Sequence, residues 1–400
     1  MAQKRTFPRP AKPVVAIFMF PGVMIHRKIV ESIANYVRHR CDWVLDINPD
    51  FSKLAQRQIK GIISLHDMPE LPARLKALKK PGVIICGSHD TQKYPPMFPR
   101  VEPDNNRVAE LVARHLMQRK YRSFAFFYIL KSGNEWATER VQAFCRYLRK
   151  GCYNGDVHIY GQTMLSTPKF LSLKAIGAWI SRLPRPAGVF AANDERARLL
   201  LEACRVKNIK VPDEIAVIGV DNDETFCHLV DPPISSIIQD TERMGWEAAQ
   251  LLHRLLSGHS IGKPVICVPP KGIVVRRSSD AMAIEHPVLQ QVTAYIREHL
   301  SDIQTTDVAR HVGITRNALD NLARQLTGQS IHELILSHRI IKTGELLLQT
   351  NLSLKEIADQ VGFSSTQYMA TVFARRTGRS PLAYRQQNRQ SRKKTRCVHH

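Results

Sequence analysis

The sequence predicts a two-lobed α/β domain with parallel sheets, followed by an all-α domain carrying two helix-turn-helix motifs. Three observations predict it. Short, wholly apolar runs alternate with amphipathic segments of helical period from Val14 to Val220, the pattern of parallel strands covered on both faces. The alternation continues past what one compact doubly wound unit needs, so it divides into two similar lobes. The C-terminal quarter then holds an internal repeat of capping and glycine signals, which reads as two pairs of short helices.

In chain order, Val14 to Phe20 is the first buried strand. A secretory leader is the competing reading, but the run is short, has no small-residue cleavage site and ends in His26-Arg27-Lys28. Ile29, Ile33, Ala34 and Val37 recur at helical spacing. Gly61 to Leu65, Gly82 to Cys86, Phe124 to Tyr128, Ala187 to Ala191 and Ile215 to Val220 are further strands. Helices are expected near Glu139 to Arg149, Asp194 to Lys207 and Arg243 to Leu256. Ser278 to Pro287 joins the α/β part, residues 1–280, to the helical part, residues 287–386. Residues 387–400 form a basic tail, with Arg392-Lys-Lys-Thr-Arg396 able to touch phosphate without sequence preference. No apolar run approaches the ~18 residues that span a membrane, so a soluble protein with no membrane partner is expected.

The helical part is the most informative. Ser353 and Glu356 stand in capping-box spacing ahead of Ile357, Ala358 and Val361, and Gly362 ends that helix. A second helix starts near Ser364 or Ser365, turns Tyr368, Val372 and Phe373 inward and stops at Gly378. Ser365, Thr366, Gln367, Ala370 and Thr371 are then left to face base edges, with Arg375, Arg376 and Arg379 along the phosphates. Two amphipathic helices of an ordinary bundle would look similar. The repeat argues against that: Asp307 through Thr315 to Thr327-Gly328 lines up with Glu356 through Ser364 to Thr377-Gly378, one residue apart in the second helix. It places Arg316, Asn317 and Asn321 on the first reading face. Between the copies Ser330 and Glu333 open a long helix striped by Ile331, Leu334, Ile335, Ile341, Leu346, Leu347 and Leu348. The run Phe373-Ala-Arg-Arg-Thr-Gly-Arg-Ser-Pro-Leu-Ala-Tyr-Arg385, with Arg339, Leu346 and Leu347, resembles AraC-type transcription regulators. Gly344 departs from their usual alanine.

Composition agrees with a polyanionic partner, most simply duplex DNA. The chain of 400 residues has 58 basic and 35 acidic residues, a formal charge of +23. From residue 286 onward there are 16 basic and 8 acidic residues, so the excess is shared and charge alone does not place the interface. The eight cysteines form no C-x-x-C pair and the histidines no H-E-x-x-H, so neither a metal site nor a disulfide framework is indicated, and no cofactor is implied.

In open parallel sheets ligands bind past the C-terminal strand ends. Trp136 with Glu139-Arg140, then Asn193-Asp194, then Asp221-Asn-Asp223 follow three strands. Planar amides, carboxylates and arginines with an aromatic platform suit sugar hydroxyls and the ring's apolar face. Each also has a plainer role: Asn193 or Asp194 as helix cap, Asp221 as turn former, Arg140 as a solvated helix residue, Trp136 as core. Ala191-Ala-Asn-Asp194, Ile218-Gly-Val-Asp-Asn222, Asp231-Pro-Pro through Ile238-Gln-Asp240, and Met244-Gly-Trp-Glu-Ala-Ala249 resemble the periplasmic-binding-protein-like sensor domain of LacI-type repressors. That resemblance implies effector contacts from Arg140, Asn193, Asp221 and Gln239, with Trp136 and Asp194 beside them.

A LacI-like sensor ahead of an AraC-type reader is similar to the regulators of xylose operons, and Trp136-Ala-Thr-Glu-Arg140 and Asp194-Glu-Arg-Ala-Arg198 extend the likeness. It implies a transcription activator responding to a small-molecule sugar such as xylose, acting as a homodimer with RNA polymerase as a partner. Pro21, Gly22 and Val23 stand where polar residues suited to xylose are expected, which leaves the sugar open. The alternative is a sugar-metabolising enzyme with an appended DNA-binding domain. No G-x-G-x-x-G follows the first strand, and Gly258-His-Ser-Ile-Gly-Lys-Pro264 is one residue short of a phosphate loop, with proline in place of the metal-binding hydroxyl. A nonspecific DNA-architectural protein is disfavoured by two polar reading faces.

Overall fold

The computed structural model describes residues 12–50, 59–65, 79–85, 98–131, 135–164, 172–261, 265–280 and 287–386. The basic tail and residues 281–286 of the join lie outside the described residues, as does Cys86 at the end of its expected strand.

Two six-stranded sheets carry the first part of the chain. In the first lobe β1 (Val14–Phe18), β2 (Val44–Ile47), β3 (Ile59–Ser64), β4 (Gly82–Ile85), β5 (Arg100–Pro103) and β11 (Val265–Val268) run in the order β11-β5-β4-β3-β1-β2, all parallel. In the second, β6 (Ser123–Lys131), β7 (Val157–Met164), β8 (Ala187–Ala191), β9 (Ile215–Val220), β10 (Ser235–Ile238) and β12 (Gly272–Val274) run β12-β10-β9-β8-β6-β7, with only β12 antiparallel. The apolar runs read as strands are buried at every position in β4, β8 and β9, as expected when helices cover both faces.

Helices α1 (Met24–Arg40) and α7 (Thr241–Leu256) pack together on the first sheet through Ile29, Ile33, Ala248 and Leu252. On the second sheet α2 (Asn105–Gln118) and α3 (Glu135–Lys150) cover one face, with Phe124, Phe126, Phe144 and Phe190 in edge contacts between them. Helices α4 (Leu173–Ile180) and α5 (Asp194–Val206) cover the other, and the short α6 (Glu224–Leu229) follows β9. The chain crosses between lobes three times: after β5, after β10 and between β11 and β12. Asp104 and Asp240 end the first two crossings and cap α2 and α7 by accepting from the Arg107 and Arg243 amides at 2.9 and 3.1 Å. Asp104 N–H also donates to Val268 O at 2.9 Å and Lys271 N–H to Ile238 O at 2.8 Å, lacing the crossings into one hinge.

The helical part comprises α8 (Pro287–Glu298), α9 (Thr305–Val312), α10 (Arg316–Thr327), α11 (Ile331–Gln349), α12 (Leu354–Val361) and α13 (Thr366–Thr377). The expected capping boxes at Ser330/Glu333 and Ser353/Glu356 are present, and Gln304/Asp307 adds a third in the corresponding place of the first copy. The one-residue difference between copies sits in the turn, not in the second helix. Helices α10 and α13 are both 12 residues long, but Thr315 caps two residues after Gly313 whereas Ser365 caps three after Gly362.

The single stripe expected on α11 is two faces. Ile331, Leu334 and Ile335 enter the core of the first reading head, while Leu336, Ile340, Leu346 and Leu347 enter that of the second. Ile341 is only partly buried, and the Leu348 side chain is outside the described residues. In α13 Met369 and Phe373 are buried, and Val372 packs half-buried against the same core. Tyr368 is 41% exposed, because the extra turn residue rotates the helix relative to the reading that put it inside.

Candidate effector pocket and nucleic-acid interface

Four strands of the second lobe deliver polar side chains to the edge facing the hinge. Past β6, α3 brings Trp136 and Arg140, whose guanidinium lies over the indole at 4.7 Å. Arg140 is 3% exposed. Its Nε donates to Asn105 Oδ1 at 2.9 Å and its Nη1 to Ala192 O at 2.6 Å, so it is locked between the first hinge crossing and the end of β8. Asn105 returns a bond from Nδ2 to Glu139 Oε2 at 2.8 Å. Nothing in the sequence singled Asn105 out; its only local signal is its place directly after the helix-capping Asp104.

Past β8, Asn193 caps α5, its side chain accepting from the Arg196 amide at 3.1 Å. The cap occupies Oδ1, and the amide NH2 retains its donor capacity. Asp194 is turned inward and 1% exposed. Its carboxylate accepts from Ser236 Oγ at 2.6 Å, the Asp223 amide at 2.8 Å and Cys227 Sγ at 3.5 Å. Burial pushes its carboxyl well above the usual range, with the Asp221 charge adding to the effect. Asp194 therefore ties α5 to the turn after β9, behind the face presented by its neighbour.

Past β9, Asp221 and Asn222 take left-handed backbone conformations, φ 106° and 49°. Such strain in consecutive residues other than glycine costs roughly 1–3 kcal/mol each and is characteristic of ligand-contacting turns. Past β10, Gln239 donates from Nε2 to Asp221 Oδ1 at 2.7 Å. Burial raises the Asp221 carboxyl; the Arg140 charge and the Gln239 bond pull the other way. Arg140 is shifted down by burial and held up chiefly by Asp221. The two groups are thus near enough for each to favour the charged form of the other. Trp136, Arg140, Asn193, Asp221 and Gln239 are brought together, and Asp194 stands behind them. On the opposite lobe Phe20, 53% exposed, follows β1 and stacks on His26 at 5.8 Å, with Pro21, Gly22 and Val23 exposed beside it.

In the reader, Arg316, Asn317, Asn321, Gln367, Thr371, Arg375, Arg376 and Arg379 are exposed, and Thr366 is half-buried. Ser365 is exposed but serves as the α13 cap, accepting from the Tyr368 amide at 3.1 Å. Thr371 Oγ1 donates back to Gln367 O at 3.0 Å, leaving its methyl and the Gln367 amide outward. Arg376 leans toward the connecting helix, Nη1 to Ser337 Oγ 3.5 Å, while Arg375 and Arg379 lie exposed beside it in the chain. The two heads are pinned by Arg339, which donates to Leu300 O at 3.2 Å and Ile303 O at 3.3 Å and lies 6.0 Å from the Phe363 ring.

Family models match in three consecutive blocks: an XylR N-terminal domain over residues 15–106, a periplasmic binding protein-like domain over 113–279 and a helix-turn-helix domain over 308–387. The xylose operon regulatory protein of Haemophilus influenzae is 30% identical over 379 residues, 93% of this chain and 97% of the relative. That of Escherichia coli K12 is 32% identical over 372 residues, 90% and 94% of the two chains. The chain belongs to the xylose operon regulatory protein family.

A solved structure described as the xylose-binding transcription activator xylR superposes with a TM-score of 0.71 at 30% identity, covering 95% of this chain and 99% of that one. A CelR–cellobiose complex, TM-score 0.55 at 23% identity over 67% of this chain and 86% of that one, shares the sensor fold. The family's members are named as regulators, which decides against the enzyme alternative. Among the described residues no group of histidines, cysteines and carboxylates is placed to hold a metal, and no helix is long and apolar enough to cross a membrane.

Proposed function

We propose that this chain is a sugar-responsive, sequence-specific regulator of sugar-catabolic genes, with residues 1–280 as sensor and 287–386 as reader. The effector sits between the lobes. Asp221, held by Gln239, and Arg140 take its hydroxyls, Asn193 donates from its amide, and Trp136 packs on the ring. Duplex DNA is read by Arg316, Asn317 and Asn321 from the first head and by Thr366, Gln367 and Thr371 from the second, with Arg375, Arg376 and Arg379 on phosphates. The observation that carries the reading is the meeting of opposite charges, a planar amide and an indole at the ends of four strands, in a chain that also holds two helix-turn-helix units. The protein acts in the cytoplasm on the nucleoid as a homodimer, and as an activator it contacts RNA polymerase.

The names of the relatives make D-xylose the first sugar to try. The exposed Phe20-Pro-Gly-Val23 border favours a second reading, in which the effector is another sugar with a larger apolar face. A thermal-shift screen of the full chain across pentoses, hexoses and disaccharides separates these, since a ligand bound only by the folded state raises its stability. A shift with xylose supports the first; a shift with another sugar supports the second; none with any sugar contradicts the sensor assignment.

A further inference from the structure

Behind the effector turn lies a file of buried polar groups that neither sugar binding nor DNA reading requires. Asn222 begins it. Its amide donates to Ser236 Oγ at 2.9 Å, and its Oδ1 accepts from Arg276 Nη2 at 2.8 Å. Arg276 is 5% exposed and also donates from Nη1 to Ile234 O at 2.7 Å. Its backbone exchanges two bonds with Ser235 Oγ, N–H to Oγ at 2.8 Å and Oγ–H to O at 2.7 Å. Ser278 Oγ accepts from the Ser235 amide at 2.8 Å and donates to Val217 O at 2.6 Å, while Ser279 Oγ bonds Ser235 Oγ at 2.7 Å. From Ser279 the file continues to His115 Nε2 at 2.9 Å, from His115 Nδ1 to Arg119 Nη1 at 3.1 Å, and from Arg119 to Asp280 at 3.9 Å.

The file ends at a seam with the reader. Arg297 of α8 forms an ion pair with Asp213, just before β9, and Arg297 and Glu345 of the reader both act on the Asp280 charge. Ser235, Ser236, Ser278 and Ser279 are fully buried, and every one is hydrogen-bonded. Apolar residues would fill the same space without needing a satisfied network, and a network of this kind holds one arrangement stiffly because each member fixes the next. It starts at the strained pair Asp221-Asn222, φ 106° and 49°, beside the proposed effector contact.

We propose that this file transmits effector occupancy to the reader, with Arg276 as the positioning residue that links the Asp221-Asn222 turn to the seam closed by Arg297 and Asp213. The inference rests on the sensor and reader roles proposed above. A sugar that draws on Asp221 moves the turn; the Asn222 side chain carries the movement to Arg276, and the serine file carries it to the face on which α8 docks. Coupling of this kind is reciprocal, so that sugar and DNA alter each other's affinity by the same factor, typically about 5- to 150-fold.

The test uses the full chain, D-xylose as probe and a duplex selected from a random pool by the same chain. Calorimetry gives the xylose Kd with and without saturating duplex, and their ratio is the coupling factor. Asn222→Gly removes the side chain while suiting the positive φ, Asn222→Asp keeps an acceptor for Arg276, and Arg297→Asp is paired with Asp213→Arg as a charge swap. Asn222→Gly and Arg297→Asp should each keep both separate affinities within about threefold and bring the coupling factor to near 1. Asn222→Asp and the swapped pair should restore it. Coupling that survives in both single variants overturns the proposal, as does a loss of xylose affinity itself in Asn222→Gly, which would make Asn222 part of the pocket. A wild-type chain that binds both partners without coupling overturns the relay and leaves the roles beneath it standing. A chain that binds no duplex overturns the reader role, and one that responds to no sugar of the screen overturns the sensor role.

Discussion

Alanine at Gly362 should unfold part of the reader, and alanine at the equivalent Gly313 should not. Both glycines end the first helix of a helix-turn-helix in the left-handed region, φ 88° and 72°. An L residue there costs about 1–2 kcal/mol in either place. The surroundings differ. At Gly313 a Cβ meets nothing within 4 Å; at Gly362 it would lie 2.0 Å from Ser301 O and 2.8 Å from Arg339 Nη2. The arginine can swing, but it is the residue that pins the two heads through Leu300 O and Ile303 O, and the carbonyl is backbone that must move by more than an ångström. Overpacking of that kind adds about 1–3 kcal/mol. Gly362→Ala should therefore lose roughly 2–5 kcal/mol of reader stability and Gly313→Ala about 1–2. All four tryptophans, Trp43, Trp136, Trp179 and Trp246, lie in the sensor, so urea unfolding followed by tryptophan fluorescence should be unchanged while hydrogen exchange of amides in α12 and α13 accelerates only in Gly362→Ala. Equal effects of the two substitutions would refute the steric argument.

Other outcomes follow from the same geometry. Asp221→Ala or Arg140→Ala should cost about 2–5 kcal/mol of sugar affinity by calorimetry, because each removes a charged hydrogen-bond partner of the proposed sugar, while DNA binding without sugar persists; unchanged affinity in either would remove the pocket assignment. Gln367→Ala should relax base choice at one or two operator positions in a binding-site selection, whereas Arg375→Ala should weaken all duplexes alike and flatten the salt dependence. Burial pushes the Asp280 carboxyl from 3.8 up to about 7, the Arg119 guanidinium at 3.9 Å compensating too little. A raised carboxyl favours the fold while protonated, so its contribution is complete below about pH 4 and is lost as pH rises to about 7. Asp280→Asn should match the parent near pH 4 and exceed its stability by up to about 4 kcal/mol at pH 8 in urea titrations; a difference that does not change with pH would contradict this.

Much of this architecture was legible because it is written in local signals. Capping boxes, terminal glycines and apolar runs act within a few residues, and they place β8, β9, α5, α7, α12 and α13 almost to the residue, whereas α8 carries no such signal and was not expected. What was misread depends on packing between elements. Tyr368 was placed inside because helical period cannot say in which direction the extra turn residue between Gly362 and Ser365 rotates the next helix. The two buried faces of α11 look like one irregular stripe until two heads are set against it. In the candidate pocket, Asn193 and Asp194 look alike in sequence, and only the third dimension leaves one capping α5 and turns the other onto Ser236. Asn105 and Arg276 could not have been found from spacing, since their partners are 34 to 54 residues away along the chain.

The central claim is that one chain reads DNA in response to a sugar, and selection of duplexes from a random pool by the full chain, with and without D-xylose, tests it most directly. Two reading heads on one connecting helix should enrich a bipartite site whose halves are about one helical turn, roughly 10 base pairs, apart, with the enrichment changed by the sugar. Enrichment of no sequence over random duplex, in either condition, would contradict the account.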